Sequence, residues 1–331
     1  HEMISIKDVA KHAGVAISTV SKVLNHYPNV SEKTKIKVNK AVEELNFVPN
    51  SVAAALSSKQ SGRVALLVNL NVKTQAIDEI NMQYIQGAIN KAMELNIDVI
   101  TLFFSMFQNK TAEEITRYLR SQSITGIIVY GLSKENKVLQ RLIEEEQFKC
   151  VLVDAPIVNG NTSCIGIDHR RAQYDVARRT IIDNNCKRVL YITGKKNGYV
   201  TEQRLLGIND LVKEMGLTIL VRNGEFSELQ ARNITLKYGK NKDVVVCASD
   251  LMAIGAMKAL TEMDIFRPVC GFDGIILMGY VGKQMNTVRQ YFAEISAKAV
   301  EELHRLMGGG KGQNILTPYT LERMKYMDII C

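Results

Sequence analysis

The chain has 331 residues, of which 46% are apolar and 23% charged, with a formal net charge of +8. That length exceeds one ordinary core and predicts two or three domains, and no apolar run reaches the roughly 18–20 residues that a membrane span needs. The cysteines at 150, 164, 186, 247, 270 and 331 include no C-x-x-C pair, which argues against a zinc site or a disulfide framework and for free thiols in a reducing compartment. No charged-then-apolar leader opens the chain, so a cytoplasmic protein is expected.

Residues 1–60 hold eight lysines, no arginine and five acidic residues, a net of +3, so positive charge is concentrated in the first fifth of the chain. Ser5 and Asp8 form an S-x-x-D capping signal for a helix over about 6–13, with Ile6, Val9, Ala10 and Ala13 on one face. Gly14 ends it, because glycine enters the left-handed region without steric cost. A second helix over about 17–24 turns Val20, Val23 and Leu24 inward. A third, capped by Ser31, runs over about 32–45. Three short helices at this spacing make a helix-turn-helix unit. The outward face of the second helix carries Ile17, Ser18, Ser21, Lys22 and Asn25, side chains suited to base edges and phosphates. By spacing alone, that face is either a DNA-reading surface or the solvated side of a small helical domain.

The stretch FVPNSVAAALSSKQSG follows at 47–62. Pro49 stops the third helix, and Asn50 caps an alanine-rich segment of about two turns. A helix that short is marginal alone in water, which suits an element that folds only on docking. Leu56 is its one large apolar residue, either a wedge for the minor groove or a packing residue.

IKDVAKHAGVAISTVSKVLN, VSEKTKIKV, ELNFVPNSVAAAL and SKQSG together resemble the N-terminus of the LacI/GalR family of bacterial transcription repressors. The resemblance implies a dimer reading a palindromic operator in the major groove, with paired hinge helices opening the minor groove. By position Ile17, Ser18 and Lys22 resemble base-reading residues. Thr19, Ser21, Asn25, Ser31 and Thr34 resemble phosphate contacts, and Asn50, Ala53 and Leu56 belong to the hinge. Ala16 stands where the family has a serine N-cap, a loss of about 1 kcal/mol unless Ser18 takes over part of the role.

From residue 63 on, apolar strand-like runs alternate with helical periodicity. RVALLVNL, DVITLFF, GIIVYG and KCVLVD form one series; RVLYITG, LTILV, DVVVCAS and PVCGFD form a second. Helical segments lie near 82–95, 111–121, 134–146, 170–183, 201–215, 227–238, 250–262 and 291–307. Such alternation gives parallel sheets covered on both faces, here two doubly wound α/β subdomains between which the chain crosses more than once. Ligands in open α/β sheets sit beyond the carboxyl ends of strands. Asp154, Ser249, Asp250 and Asp273 stand at such ends, Arg204 lies in the helix after YITG, and Phe226 offers an apolar ring. Each alone is as well read as a helix cap or ion pair; their coincidence favours a site.

ASDLMAIGAMKAL, GFDG, MNTVRQ and TLERM resemble the family's effector-domain signatures, which implies a periplasmic-binding-protein-like fold. By position Asp154, Arg204, Phe226, Ser249 and Asp273 resemble residues lining its effector cleft. Ser249 replaces a usual asparagine, so the effector is left open among sugar, sugar phosphate and nucleobase, with a phosphorylated carrier protein as a further alternative. The glycine run at 308–312 lacks phosphate-loop spacing and reads as a connection.

The expected organisation is a helix-turn-helix domain at 1–48, a hinge helix and linker at 49–62, and an effector-binding and dimerisation domain at 63–331. The latter divides into about 63–163 with 290–317 and about 164–289 with 318–331. The expected function is an operator-binding homodimer controlled by a small molecule, with no catalytic residues, metal, cofactor or membrane partner. The competing class is a solute-binding or enzymatic α/β protein with structural N-terminal helices; the basic head argues against it.

Overall fold

The computed structural model describes residues 4–49, 62–70, 78–281 and 284–324. The hinge segment expected to contain Asn50, Ala53 and Leu56 lies outside the described residues. Contacts divide the chain into two units, His1–Ser61 and Gly62–Cys331.

The first unit contains α1 (Ile6–Ala13), α2 (Ile17–Leu24) and α3 (Glu32–Glu44). α1 begins where the Asp8 carboxylate accepts from the Ser5 backbone N–H at 2.8 Å and the Ser5 hydroxyl at 2.6 Å. It ends at Gly14, φ 64°, and the Val15 N–H closes the turn on the Ala10 carbonyl at 3.1 Å. The Ser31 hydroxyl caps α3 by accepting from the Thr34 N–H at 3.3 Å. α2 starts after Ala16 with no side-chain cap. Ser18 is exposed and forms no capping hydrogen bond among the described residues. Helices this short hold because Val9, Ala10, Val20, Val23, Val38 and Ala41 share one buried cluster.

The second unit is built on two six-stranded sheets. The first holds β1 (Arg63–Val68), β2 (Val99–Phe103), β3 (Ile124–Tyr130), β4 (Lys149–Val153), β5 (Thr162–Gly166) and β11 (Asn314–Leu316). Its order is β11-β5-β4-β3-β1-β2, and every pairing is parallel. The second holds β6 (Arg188–Thr193), β7 (Thr218–Asn223), β8 (Val244–Cys247), β9 (Val269–Cys270), β10 (Met285–Gln290) and β12 (Tyr319–Met324). Its order is β12-β10-β9-β8-β6-β7, with β12 alone antiparallel.

Helices α4 (Glu79–Glu94), α5 (Ala112–Ser121), α6 (Lys137–Glu144) and α11 (Phe292–Met307) flank the first sheet. Helices α7 (His169–Asp183), α8 (Tyr199–Met215), α9 (Glu228–Tyr238) and α10 (Asp250–Glu262) flank the second. The chain therefore passes between the halves after β5, after β10 and after β11. Strands covered on both faces are continuously apolar, and Val64–Val68 and Val244–Cys247 are buried throughout.

Four strands, β5, β10, β11 and β12, escape the apolar pattern. β5 reads TSCIG and β10 reads MNTVRQ, yet both are almost wholly buried. Three of their polar side chains are matched in three dimensions, whereas the Thr162 hydroxyl and the Gln290 amide oxygen are buried without a partner among the described residues. The Ser163 hydroxyl donates to Glu302 at 2.7 Å, Asn286 Nδ2 donates to the Thr180 hydroxyl at 3.0 Å, and the Thr287 hydroxyl donates to Asp250 at 2.7 Å. The glycine run is a hydrogen-bonded turn: the Gly310 N–H reaches the Arg305 carbonyl at 3.1 Å and the Gly312 N–H the Gly160 carbonyl at 3.2 Å. A Cβ at Gly312 would come 2.0 Å from the Asn159 carbonyl oxygen, so only glycine fits.

Candidate functional site

In the first unit the inward positions of α2 fix which side chains face out. With Val20 and Val23 buried, Ile17, Ser18, Lys22 and Asn25 are exposed, and Thr19 and Ser21 are half-buried. Asn25 Nδ2 donates to the Ser21 carbonyl at 2.9 Å, which ends α2 and leaves the amide oxygen free to accept. At the start of α3 the Ser31 and Thr34 hydroxyls lie 2.8 Å apart. Lys35 pairs with Glu32 at 2.6 Å and Lys40 with Glu44 at 3.7 Å, whereas Lys7, Lys11, Lys22, Lys33 and Lys37 form no ion pair among the described residues. A polar helix face with unpaired lysines around it has the charge and donors that a DNA phosphate backbone requires.

In the second unit, three of the five cleft candidates enter one buried network. Arg204, on α8, is 4% exposed, and Asp273, after β9, is 8% exposed. The Arg204 Nε–H donates to His169 Nδ1 at 3.3 Å, and one terminal nitrogen donates to the Ala248 carbonyl. The other lies 3.6 Å from Asp273 Oδ1, too far for a short charge-assisted hydrogen bond. His169 Nε2 is 2.7 Å from Asp154 Oδ1. Since guanidinium only donates, His169 Nδ1 must accept, which puts the imidazole proton on Nε2, facing Asp154. Asp154 follows β4 of the first half, and His169 and Arg204 belong to the second, so this chain of bonds joins the two halves. The Arg204 guanidinium also stacks 3.7 Å from the Phe272 ring centre and lies 6.0 Å from that of Phe226.

Burial pushes the Asp273 carboxyl up to about 8; Arg204 offsets this in part, while the charges of Asp250 and Asp154 add to it. Asp250 is pushed up to about 6 by burial, against the hydrogen bonds it accepts from the Thr287 hydroxyl and the backbone N–H groups of Ile275 and Gly274. Burial, with Asp154 and Asp273 nearby, also holds the Tyr84 hydroxyl well above its usual value. Asp154, Phe226 and Asp273 take positive φ of 64°, 56° and 122°. Such backbone costs of order 1–3 kcal/mol each and persists where the surroundings over-determine it, as at ligand sites.

Phe226 packs its ring against Gly194, where a Cβ would come within 2.1 Å of Cζ. Ser249 is placed differently: its hydroxyl accepts from the Met252 N–H at 3.3 Å and caps α10. Beside the network lies a cavity of about 200 Å³, lined by Asp154, His169, Tyr199, Val200, Gln203 and Leu316 among others. Arg204 and Asp273 sit behind His169 and do not line it. Sequence reasoning missed His169 and Gln290, whose Nε2 donates to Asp273 Oδ1 at 3.1 Å. Each follows or ends a strand that the apolar pattern did not reveal, β5 and β10. With those strands recognised, the strand-end rule would have found both.

A helix-turn-helix head and a two-sheet unit with a buried polar cleft, in one chain, define a DNA-binding regulator with an effector domain. The model of bacterial regulatory proteins of the lacI family matches residues 5–50, and that of a periplasmic binding protein-like domain matches residues 179–323. The chain is 30% identical to the HTH-type transcriptional regulator RegA of Clostridium saccharobutylicum over 317 residues, 92% of each chain. It is 29% identical to the HTH-type transcriptional regulator GalR of Escherichia coli K12, over 90% of this chain and 88% of that one. Its fold matches the lac repressor dimer bound to operator and the anti-inducer ONPF, with a TM-score of 0.82 at 23% identity over 98% of this chain and 100% of that one.

The protein belongs to the LacI/GalR family of transcriptional regulators. It is a DNA-binding regulator with an effector domain, not an enzyme. Among the described residues no helix is long and apolar enough to cross a membrane.

Proposed function

We propose that residues 1–48 read a palindromic operator, that 49–62 form the hinge, and that 63–331 dimerise and bind a small molecule between their two halves, in the cytoplasm. Ile17, Ser18 and Lys22 face base edges; Thr19, Ser21, Asn25, Ser31 and Thr34 hold phosphates; Asn50 caps the hinge helix at the DNA, and Ala53 and Leu56 act at the central step. The observation that carries the effector reading is the buried bridge from Asp154 through His169 to Arg204, which spans both halves beside a cavity. The network's cation, Arg204, lies 3.6 Å from Asp273 and reaches Asp154 only through His169, so the site favours a neutral ligand with several hydroxyls over a dianionic phosphate. Asp154 accepts from ligand hydroxyls at the cavity, Arg204 and Asp273 support His169 from behind, and the Phe226 ring lies 6.0 Å from the Arg204 guanidinium.

The test is a thermal-shift screen of the purified chain against neutral sugars, sugar phosphates and nucleobases. A ligand at 100 times its dissociation constant stabilises the folded state by about 2.7 kcal/mol. A neutral sugar is expected to score and Arg204→Ala to abolish the response. A response confined to phosphorylated compounds would refute the assigned ligand class, and no response from any class would refute the small-molecule reading. For the hinge, Leu56→Ala is expected to weaken operator binding more than nonspecific binding, and equal losses would refute its wedge role.

A further inference from the structure

The turn after β9 carries Asp273 into the cleft and then presents four successive backbone N–H groups, each taken by a carboxylate. Those of Gly274 and Ile275 donate to Asp250 Oδ2 at 2.8 and 2.9 Å. Asp250 is buried in the same half and is itself held by the Thr287 hydroxyl. The next two donate to Glu79, which belongs to the other half. The Ile276 N–H lies 2.8 and 2.9 Å from the two Glu79 carboxylate oxygens, and the Leu277 N–H lies 3.3 Å from Oε1. Glu79 opens α4, just after the Asp78 cap, and its Oε2 also accepts from Gln83 Nε2 at 3.0 Å.

The turn has little freedom to absorb a shift. Asp273 has φ 122° and Gly274 φ 74°, and a Cβ at Gly274 would come 2.7 Å from Arg289 Cα. Besides the His169–Asp154 bond, two other links between the halves, the Lys134 N–H to the Asn197 carbonyl at 3.0 Å and Gln140 Nε2 to the Tyr199 hydroxyl at 3.1 Å, do not touch the segment that holds Asp273. Glu79 alone among these grips the segment that holds Asp273.

We propose that Glu79 is a positioning residue that clasps the 273–277 turn to the first half of the effector unit, so that whatever engages Asp273 in the cleft is transmitted to α4 through the Ile276 and Leu277 amides. This deepens the effector reading, on which its link to the cleft rests. A carboxylate on two aligned N–H groups is a charge-assisted contact, strong enough to set a two-state equilibrium yet exposed enough to open.

The experiment is amide hydrogen exchange on the full, ligand-free chain, read at these four positions. Glu79→Ala is expected to speed exchange of Ile276 and Leu277 by about tenfold or more, with Gly274 and Ile275 unchanged because Asp250 still holds them. Glu79→Gln, which keeps one accepting oxygen, is expected to fall between. Equal changes at all four amides would show general loosening and overturn the clasp, as would no change at Ile276 and Leu277. Arg204→Ala, which removes the partner of Asp273, is expected to speed the same two amides; their indifference would overturn the transmission. Because no ligand is present, failure here leaves the effector reading to the thermal-shift screen, and failure there leaves the clasp standing.

Discussion

Replacing Asp273 by asparagine keeps the side chain's shape and removes its proton equilibrium. In the folded chain the carboxyl titrates at about 8 because it is buried and sits 3.6 Å from Arg204 instead of at hydrogen-bond distance. Its ordinary value is 3.8, so the folded state binds the proton more tightly than the unfolded state. The resulting stabilisation is complete below the unfolded value and is lost as pH rises toward the folded one. In that window each pH unit removes about 1.4 kcal/mol, so wild type loses about 2.7 kcal/mol through this group between pH 5 and pH 7. Asp250, pushed up to about 6, titrates in both proteins, so only its coupling to Asp273 enters the difference. The chain has no tryptophan, so urea unfolding is followed by far-ultraviolet circular dichroism. The expected result is a stability difference between wild type and Asp273→Asn that shifts by about 2–3 kcal/mol in favour of the variant from pH 5 to pH 7. Parallel profiles would refute the reasoning, since they would mean that the Arg204 charge keeps the carboxylate ionised throughout.

Restoring a hydroxyl at the start of α2 with Ala16→Ser is expected to stabilise the first unit by about 1 kcal/mol, measured as a rise in its melting temperature; no rise would show that water already satisfies those N–H groups. Lys22→Ala is expected to relax operator preference at one base position, read by binding selection from random duplexes, whereas Ser31→Ala is expected to weaken binding evenly across sequences. Cys150, Cys164, Cys186, Cys247 and Cys270 are buried, and burial raises all five thiols, Cys150 and Cys270 to about 12. They are expected to resist a thiol reagent in the folded chain and react on unfolding; early reaction at any of them would contradict the buried placement.

Local chemistry was enough for the first unit. Gly14, Ser5 with Asp8, and Ser31 mark helix ends through bonds made within three or four residues, so the helix-turn-helix and its outward face at Ile17, Ser18 and Lys22 were legible by eye. The eight strands with unbroken apolar runs were equally legible, because a strand covered on both faces has nowhere to put a polar side chain unless a partner meets it there. Such a partner is what tertiary structure supplied to β5 and β10. Ser163, Asn286 and Thr287 are matched by Glu302, Thr180 and Asp250, from 37 to 139 residues away.

The same distinction governs the cleft. Alternating strands and helices were enough to put Asp154 and Asp273 at strand ends and Arg204 in the helix that follows one. Only the folded chain decided that His169 is shared between Asp154 and Arg204, that Ser249 is used as a helix cap, and that Glu79 holds the turn beyond Asp273. Those outcomes depend on the order of strands in two sheets and on the three passages between them, which bring together groups up to 198 positions apart in the chain. Local periodicity carries no information about distances of that kind, because it records what each segment buries and not which segment it is buried against.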